Sequence, residues 1–493
     1  VCIHIAVISF TSQEIDCKKI TGYLAISFAI LGPQPYLNCM NVFLHKHNER
    51  SWWLGAAAQR CAVAIIGILF LPLVLSAATL RIEGERAWLK ADGVPLYKVL
   101  QLFEQRGVEV LIDPSITQHQ ISGDWKNAKI DRLIAQLVSP HSYMLEWKQE
   151  KSPLGDLFQI SSIRIFSDGK SSVARPLSNK RKVLDIVEGE NGVKYIRGEI
   201  MIGFGKGASI ENLKALLSKL NGTVIEVINP PGIYRIRLND DISVEEAMRI
   251  AQEHDGVGAS EPNLAFPRID SKVLPLAGTG QQRNLNIVPG ETAIAVFDSG
   301  LDPAYRDYPF IRGTYDALEP TAEISDPTGH GTLTSLIAAG VVTPLGAEVA
   351  ESGVPVFSVR TFDENGMTSS DTLMRALEYA TSSGVKIISM SWGAEIDSRF
   401  LKTAMQFAAK NGMALYAAAG NEPTGTPVYP AGYNSVIAVG GLNPDGTQWE
   451  ESNYGEFVER YEPALANFKG QSYAGTSIAS PYAAFRAAND TSE

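Results

Sequence analysis

Four residues in the C-terminal part of this sequence have the types and settings that nucleophilic acyl chemistry needs. Asp298 follows the apolar run Ala-Ile-Ala-Val-Phe and precedes Ser299-Gly300. A carboxylate there can accept the Nδ1 proton of an imidazole, fix its tautomer and stabilise the imidazolium. His330 sits in Asp326-Pro-Thr-Gly-His-Gly-Thr332 and is the sole histidine beyond residue 289, so an imidazole base in this region has no other source. Ser477 lies in Gly475-Thr-Ser-Ile-Ala-Ser-Pro481, small residues that open a helix. That setting aims the hydroxyl outward and puts helix N-terminal amides, its own included, beside a developing oxyanion. Asn421 closes Ala417-Ala-Ala-Gly-Asn421, where its amide can donate a second oxyanion hydrogen bond. Singly, each has an ordinary reading: a turn Asp, a structural His, a helix-capping Ser, a turn Asn. Together they run in the order Asp, His, Asn, Ser, each at the end of an expected strand or helix, and that joint pattern points to one site.

The elements that must hold these residues alternate regularly. Apolar runs occur at Ala293 to Phe297, Val354 to Val359, Val385 to Met390, Met413 to Ala418 and Val436 to Val439, with helical patterns beginning near Ser370 and Ser398. Continuous apolar strands separated by helices predict a parallel sheet covered on both faces. In such a sheet the site lies at the C-terminal ends of the strands, which is where all four residues fall.

The phrases F-D-S-G, G-H-G-T, A-A-A-G-N and G-T-S-I-A-S-P resemble the motifs of the subtilase family, over about residues 290–488. The order Asp, His, Ser is also that of subtilisin. The resemblance implies a subtilisin-like, doubly wound α/β domain at 290–493. It implies a serine endopeptidase working through an acyl-enzyme, with Ser477 attacking, His330 shuttling the proton, Asp298 orienting His330, and Asn421 with the Ser477 amide holding the oxyanion. Ser391, Trp392 and Gly393 would form the backbone edge that pairs with an extended substrate, and Gly420 with its neighbours would wall the specificity pocket. No cofactor is required and no metal ligand is assigned. A structural calcium ion would suit the family, but no pattern among the acids locates one. The sequence departs from the family at Leu333, where a second histidine is frequent, and it ends 16 residues after Ser477. Subtilases usually continue further, so a C-terminal portion is expected to be missing.

Upstream, residues 195–266 read strand, helix, strand, strand, helix, strand, a ferredoxin-like order. Leu213, Leu216, Leu217 and Leu220 mark the first helix, Asn221-Gly222 stops it, and Ser243-Val-Glu-Glu246 predicts a capping box on the second. Just before a protease domain, this α+β module resembles the propeptide of subtilases, which assists folding and inhibits in cis. Its tail, Glu261 to Phe266, would lie in the active site. Residues 267–289 are expected to be an exposed linker that the chain cuts itself between Phe266 and Gly290. Residues 168–194 read as another linker, with Lys180-Arg181-Lys182 as a processing site or simply solvated charge. Residues 79–167 form a second small α+β module. Its element order and the phrase G-V-E-V-L-I-D-P resemble the short N-terminal domain of secretins and TonB-dependent receptors, implying a Gram-negative type of envelope.

Residues from Gly290 onward carry 11 Lys+Arg against 25 Asp+Glu. This acidic region argues against nucleic acid as a partner, because phosphate binding needs a concentrated basic face. The four cysteines, Cys2, Cys17, Cys39 and Cys61, all precede the predicted domains, so those domains have no disulfide, thiolate metal site or cysteine nucleophile. The first methionine is Met40, and residues 1–39 are an N-terminal extension given no function. Residues 40–78 have the layout of a signal peptide: basic residues, an apolar run from Cys61 to Leu75, then Ser76-Ala77-Ala78. The protein is therefore expected to cross a membrane transiently and to be periplasmic or extracellular, or anchored if the signal is kept. The expected partners are protein or peptide substrates and its own propeptide. The competing reading is a non-catalytic envelope protein whose protease fold only binds peptides.

Overall fold

The run Ile294–Asp298 becomes a strand whose successive side chains serve two cores. Ala295 and Phe297 pack on one face of the sheet, and Ile294 and Val296 on the other. A strand buried on both faces has to be apolar throughout, which is why this run shows no alternation. The computed structural model describes residues 78–489, apart from 117–118, 168–173, 178–182, 190, 230, 276–284 and 287–291. The cysteines, the signal-like segment up to residue 77 and Lys180 to Lys182 lie outside the described residues.

Seven parallel strands form the main sheet, in the order Ile311–Asp316, Val356–Arg360, Ile294–Asp298, Ile387–Met390, Ala414–Ala418, Ile437–Leu442, Val458–Pro463. Helices Ser370–Ser382 and Arg399–Lys410 cover one face, and His330–Ala338 and Thr476–Asn489 the other. The chain leaves Ile294–Asp298 for one edge and later returns on its other side, so this strand borders the switch point of a doubly wound sheet, where the crevice for a ligand opens. The doubly wound α/β expectation holds.

The upstream domain has strands in the order Thr223–Ile228, Ile233–Arg237, Lys194–Phe204, Val257–Pro267, all antiparallel, with helices Ile210–Leu220 and Val244–Gln252 packed on them. Two details differ from the sequence reading. The full reciprocal capping box lies at Ser209 and Asn212. At Ser243 the side chain accepts from the Glu246 amide, but Glu246 pairs forward with Arg249. The domain also begins earlier than residue 195: Ile186–Glu188, expected to be linker, pairs with the first strand. Arg175–Pro176 likewise joins the sheet of the N-terminal module. That module has two sheets around helices Leu96–Glu104 and Ile130–Val138. It touches the upstream domain through Ile82 N–H to Thr223 Oγ1 (2.8 Å) and Arg106 to Asn239 (2.5 Å).

The upstream domain sits on helices Ser370–Ser382 and Arg399–Lys410. Met201, Ile228, Ile233, Leu264 and Phe266 belong to the same apolar cluster as Leu373, Leu377 and Leu401. Charges cross this interface under cover. Arg235 pairs with Glu199 (2.7 Å), Glu226 (3.1 Å) and Asp371 (2.8 Å), and Arg375 pairs with Glu226 (2.7 Å). Burial works against the charge on Arg235, but Asp371, Glu199 and Glu226 outweigh it and hold its pKa above the usual value. Removing one member of such a set strands the others without water. Arg235→Leu is therefore expected to destabilise the chain by about 3–5 kcal/mol, read as a lower urea midpoint. A midpoint equal to wild type would show that these charges contribute nothing.

Candidate active site

Asp298 is the last residue of its strand and has no exposure. A buried carboxylate must find its donors within the protein. Here Oδ1 accepts from Ser299 N–H (2.7 Å) and faces His330 Nδ1 (2.7 Å), and Oδ2 accepts from Thr334 Oγ1 (3.1 Å). Burial alone would raise this carboxyl. His330 beside it, the Arg268 charge and the Ser299 amide hold it below the ordinary carboxylate range. Thr334 was not singled out in the sequence, although it lies one helical turn beyond His330 and so on the same face.

His330 opens helix His330–Ala338, and the loop before it is tied by Asp326. Asp326 Oδ1 accepts from Gly329 N–H (2.9 Å), and Oδ2 accepts from Thr332 N–H and Oγ1 (both 2.7 Å). Gly331 is required here by close approach: a Cβ would stand 2.4 Å from the Gly300 carbonyl oxygen. This fit presses the helix start onto the end of strand Ile294–Asp298 and leaves His330 Nε2 directed at Ser477 Oγ, 3.3 Å away. Ser477 is the second residue of helix Thr476–Asn489 and is buried. The three residues thus form one chain of contacts: carboxylate, imidazole, hydroxyl.

Asn421 joins them. Its Oδ1 accepts from Thr476 N–H (2.9 Å) and Oγ1 (2.8 Å), which fixes the amide so that Nδ2 points into the cleft. Gly420, with φ of +106°, lies against Val428 and Asn453, and its N–H donates to Thr476 Oγ1 (3.2 Å). Ser391, Trp392 and Gly393 follow strand Ile387–Met390 and form an edge with paired backbone. All eight residues singled out in the sequence therefore border one crevice. Among the described residues no group of three or more His, Cys, Asp or Glu side chains is placed to hold a metal ion.

The crevice is filled by the chain itself. Strand Val257–Pro267 runs out of the upstream sheet and pairs with Met367–Ser369. Phe266 packs on Trp392, ring centroids 5.4 Å apart. Gly393 N–H donates to the Pro267 carbonyl (3.4 Å), and Ile269 N–H to that of Ser391 (3.0 Å). Asn421 Nδ2 donates to the Asp270 carbonyl (2.9 Å). Ser271 Oγ lies 2.9 Å from Ser477 Oγ and 3.3 Å from His330 Nε2. Lys272–Leu274 then pairs with Gln471–Ala474. Of the tail Glu261 to Phe266 expected at the active site, Ala265 and Phe266 do lie in the crevice, but Glu261 instead caps helix Arg399–Lys410, accepting from Ser398 Oγ (2.8 Å) and Arg399 N–H (2.5 Å). The residues at the site are Arg268 to Ser271, read as exposed linker because they are polar and aperiodic. A cleft of about 470 Å³ lies elsewhere, between the N-terminal module and the upstream domain, and none of the eight residues lines it.

Residues 290–492 match the model of the subtilase family, Peptidase S8. Residues 181–263 match that of the fervidolysin N-terminal prodomain. Minor extracellular protease Epr of Bacillus subtilis strain 168 is 34% identical over 265 residues, 49% of this chain and 41% of that protein. The thermophilic serine proteinase of Bacillus sp. strain AK1 is 27% identical over 317 residues, 60% of this chain and 78% of that one. Subtilisin of Bacillus pumilus is 31% identical over 209 residues, 40% of this chain and 74% of that protein. The chain spans less than half the length of Epr but more than two thirds of the other two. With 74% of a subtilisin matched at 31% identity, and the family model matched from residue 290 to 492, the chain belongs to the subtilase family.

Proposed function

We propose that the chain is a serine endopeptidase made as a zymogen, with Asp298, His330 and Ser477 as its catalytic triad. The observation that carries this reading is the peptide carbonyl of Asp270 resting on Asn421 Nδ2, with Ser477 and His330 alongside. Ser477 Oγ attacks a substrate carbonyl while His330 Nε2 takes its proton. Asp298 holds Nδ1–H and stabilises the imidazolium. Asn421 donates to the oxyanion, and its own fixed carbonyl keeps the donor aimed before charge develops. His330 then gives the proton to the leaving amine, and water releases the acyl group from Ser477.

The edges Met367–Ser369 and Ser391–Gly393 bind an extended peptide by its main chain, with Gly420, Gly393 and Val428 walling a pocket beside it. The upstream domain is the propeptide and inhibits in cis, then is cut away between Phe266 and Gly290. Support for export comes from the predicted signal segment and from a relative described as an extracellular protease. Residues 79–167 are read as a short domain of the secretin and TonB type, which would fit an envelope location. No cofactor takes part, and a structural calcium ion remains without an assigned site.

A serine-directed fluorophosphonate is expected to label the protein at Ser477 and to leave Ser477→Ala unlabelled. Folded wild type that takes no label even after the tail has been cut between Phe266 and Gly290 would instead favour a protein that only binds peptides. Asn421→Ala is expected to lower turnover of a peptide substrate by about 10²–10³, the figure known from subtilisin itself rather than one obtained from this geometry. Unchanged turnover would remove Asn421 from the oxyanion site.

The depressed Asp298 carboxyl also sets a pH dependence. Its ionisation stabilises the fold above its unfolded pKa of about 3.9, and that contribution is lost as the pH falls through the lower folded value. In a Ser477→Ala background, Asp298→Asn should therefore lower the Tm most near neutrality, with the gap closing below about pH 4. A gap that stays constant down to pH 2.5 would contradict a stabilising Asp298 carboxylate.

A further inference from the structure

We infer that the chain cuts itself between Asp270 and Ser271, and that Arg268 is the residue that positions this bond. The inference rests on the peptidase reading above and adds the bond and its guide. The tail is clamped on both sides of the triad. Before it, Arg268 N–H donates to the Gly366 carbonyl (2.9 Å) and Ile269 N–H to that of Ser391 (3.0 Å). After it, Lys272 is already paired with Ala474. Asp270 and Ser271 span the gap between the two clamps. Within it the Asp270 carbonyl is the one that meets Asn421 Nδ2. The Ser271 Cα lies 3.3 Å from where a Cβ on Gly475 would stand, so a side chain at 475 would crowd the tail.

Asp270 is an awkward residue to present to a domain with 25 acids and 11 bases. Its carboxylate is held by Arg268, whose Nε donates to Oδ1 (2.5 Å). The Arg268 side chain is only 8% exposed, and its Nη1 donates to Thr328 Oγ1 (2.8 Å), two residues before His330. Thr328 Oγ1 passes the link on to Ser299 Oγ (2.9 Å), beside Asp298. One guanidinium thus neutralises the acid next to the bond and ties the tail to the loop that carries the base. A tie of this kind matters because small misplacements of a reacting carbonyl are costly in rate.

Ser477 Oγ bonds to the Asp270 carbonyl carbon and its proton passes to His330. The bond from that carbon to the Ser271 nitrogen breaks, and His330 returns the proton to the Ser271 amine. Water then hydrolyses the ester, leaving an Asp270 carboxylate and Ser477 restored. The Ser271 hydroxyl, in reach of both Ser477 Oγ and His330 Nε2, sets the leaving residue beside the imidazole that must protonate it.

The test is intact mass and N-terminal sequencing of the full chain during incubation, with fluorophosphonate labelling in parallel. The expected product begins at Ser271 and is absent from Ser477→Ala. Arg268→Ala should slow its appearance by about tenfold or more, Arg268→Lys should recover part of the rate, and Asp270→Asn in the Arg268→Ala background should recover it further. The last recovery separates a charge-positioning role from a merely structural one. A labelled enzyme cut at another bond overturns the assignment while leaving the peptidase reading standing. Wild-type cutting in Arg268→Ala overturns the role of Arg268. A chain that neither labels nor cuts overturns the peptidase reading and the bond with it.

Discussion

The buried carboxylate of Asp298 is the constraint around which the site is arranged. With no access to water, it has to be met by the Ser299 amide, the Thr334 hydroxyl and the His330 ring. Those donors come from the turn after one strand and from the first turns of one helix, so satisfying the acid also fixes how helix His330–Ala338 sits against the sheet. Gly331 permits that approach by having no Cβ to strike Gly300. Once the helix is seated, His330 Nε2 has one direction to face, and Ser477 lies in it. The geometry of the His330–Ser477 pair follows from solvation of a third residue.

The second organising feature is the way the upstream domain shares its interior with the catalytic one. Strand Val257–Pro267 belongs to the upstream sheet along Lys194–Phe204 and to the catalytic domain along Met367–Ser369. Arg235 draws carboxylates from both domains, and Asn263 bridges Glu199 and Asp371 (2.7 and 2.8 Å). If the domains part, each side keeps a balanced set: Asp371 with Arg375, and Glu199 and Glu226 with Arg235 and Arg237. Neither surface is left with a lone buried charge, which limits the electrostatic cost of separation.

Much of the catalytic domain was legible because its signals are local. Ile387–Met390 and Ala414–Ala418 fall inside apolar runs that could be little else than buried strands, and helices Ser370–Ser382 and Arg399–Lys410 begin at residues with helix-start character. Asp298, Gly420 and Asn421 stood out because short phrases mark where strands stop, and His330 and Ser477 because such phrases mark where helices start, whereas Ser391, Trp392 and Gly393 came only from the resemblance to subtilases. That the upstream domain's tail enters the crevice was legible too, but not which of its residues reach the triad. Arg268 to Ser271 take their meaning from Gly366, Ser391, Asn421 and Ser477, far away along the chain. Glu261 likewise reads as the start of the inhibitory tail until Ser398 and Arg399 are brought to it. Arg235 stands in a strand where an outward charge reads as solvent-facing, and only the covering helix makes it interior.

The slot between Met367–Ser369 and Ser391–Gly393 is one strand wide, with main-chain groups facing inward from both sides. Any polypeptide entering it has to exchange its own backbone partners for these over several consecutive residues. A helix cannot do so, nor can a strand already paired on both sides. Entry therefore selects first for chain that has come loose from its own fold, and only then for side chains that suit the pocket. For a folded protein the free energy of local opening would set its exposure to this site, so two targets with the same sequence at the bond could differ in fate solely through the stability of the segment around it.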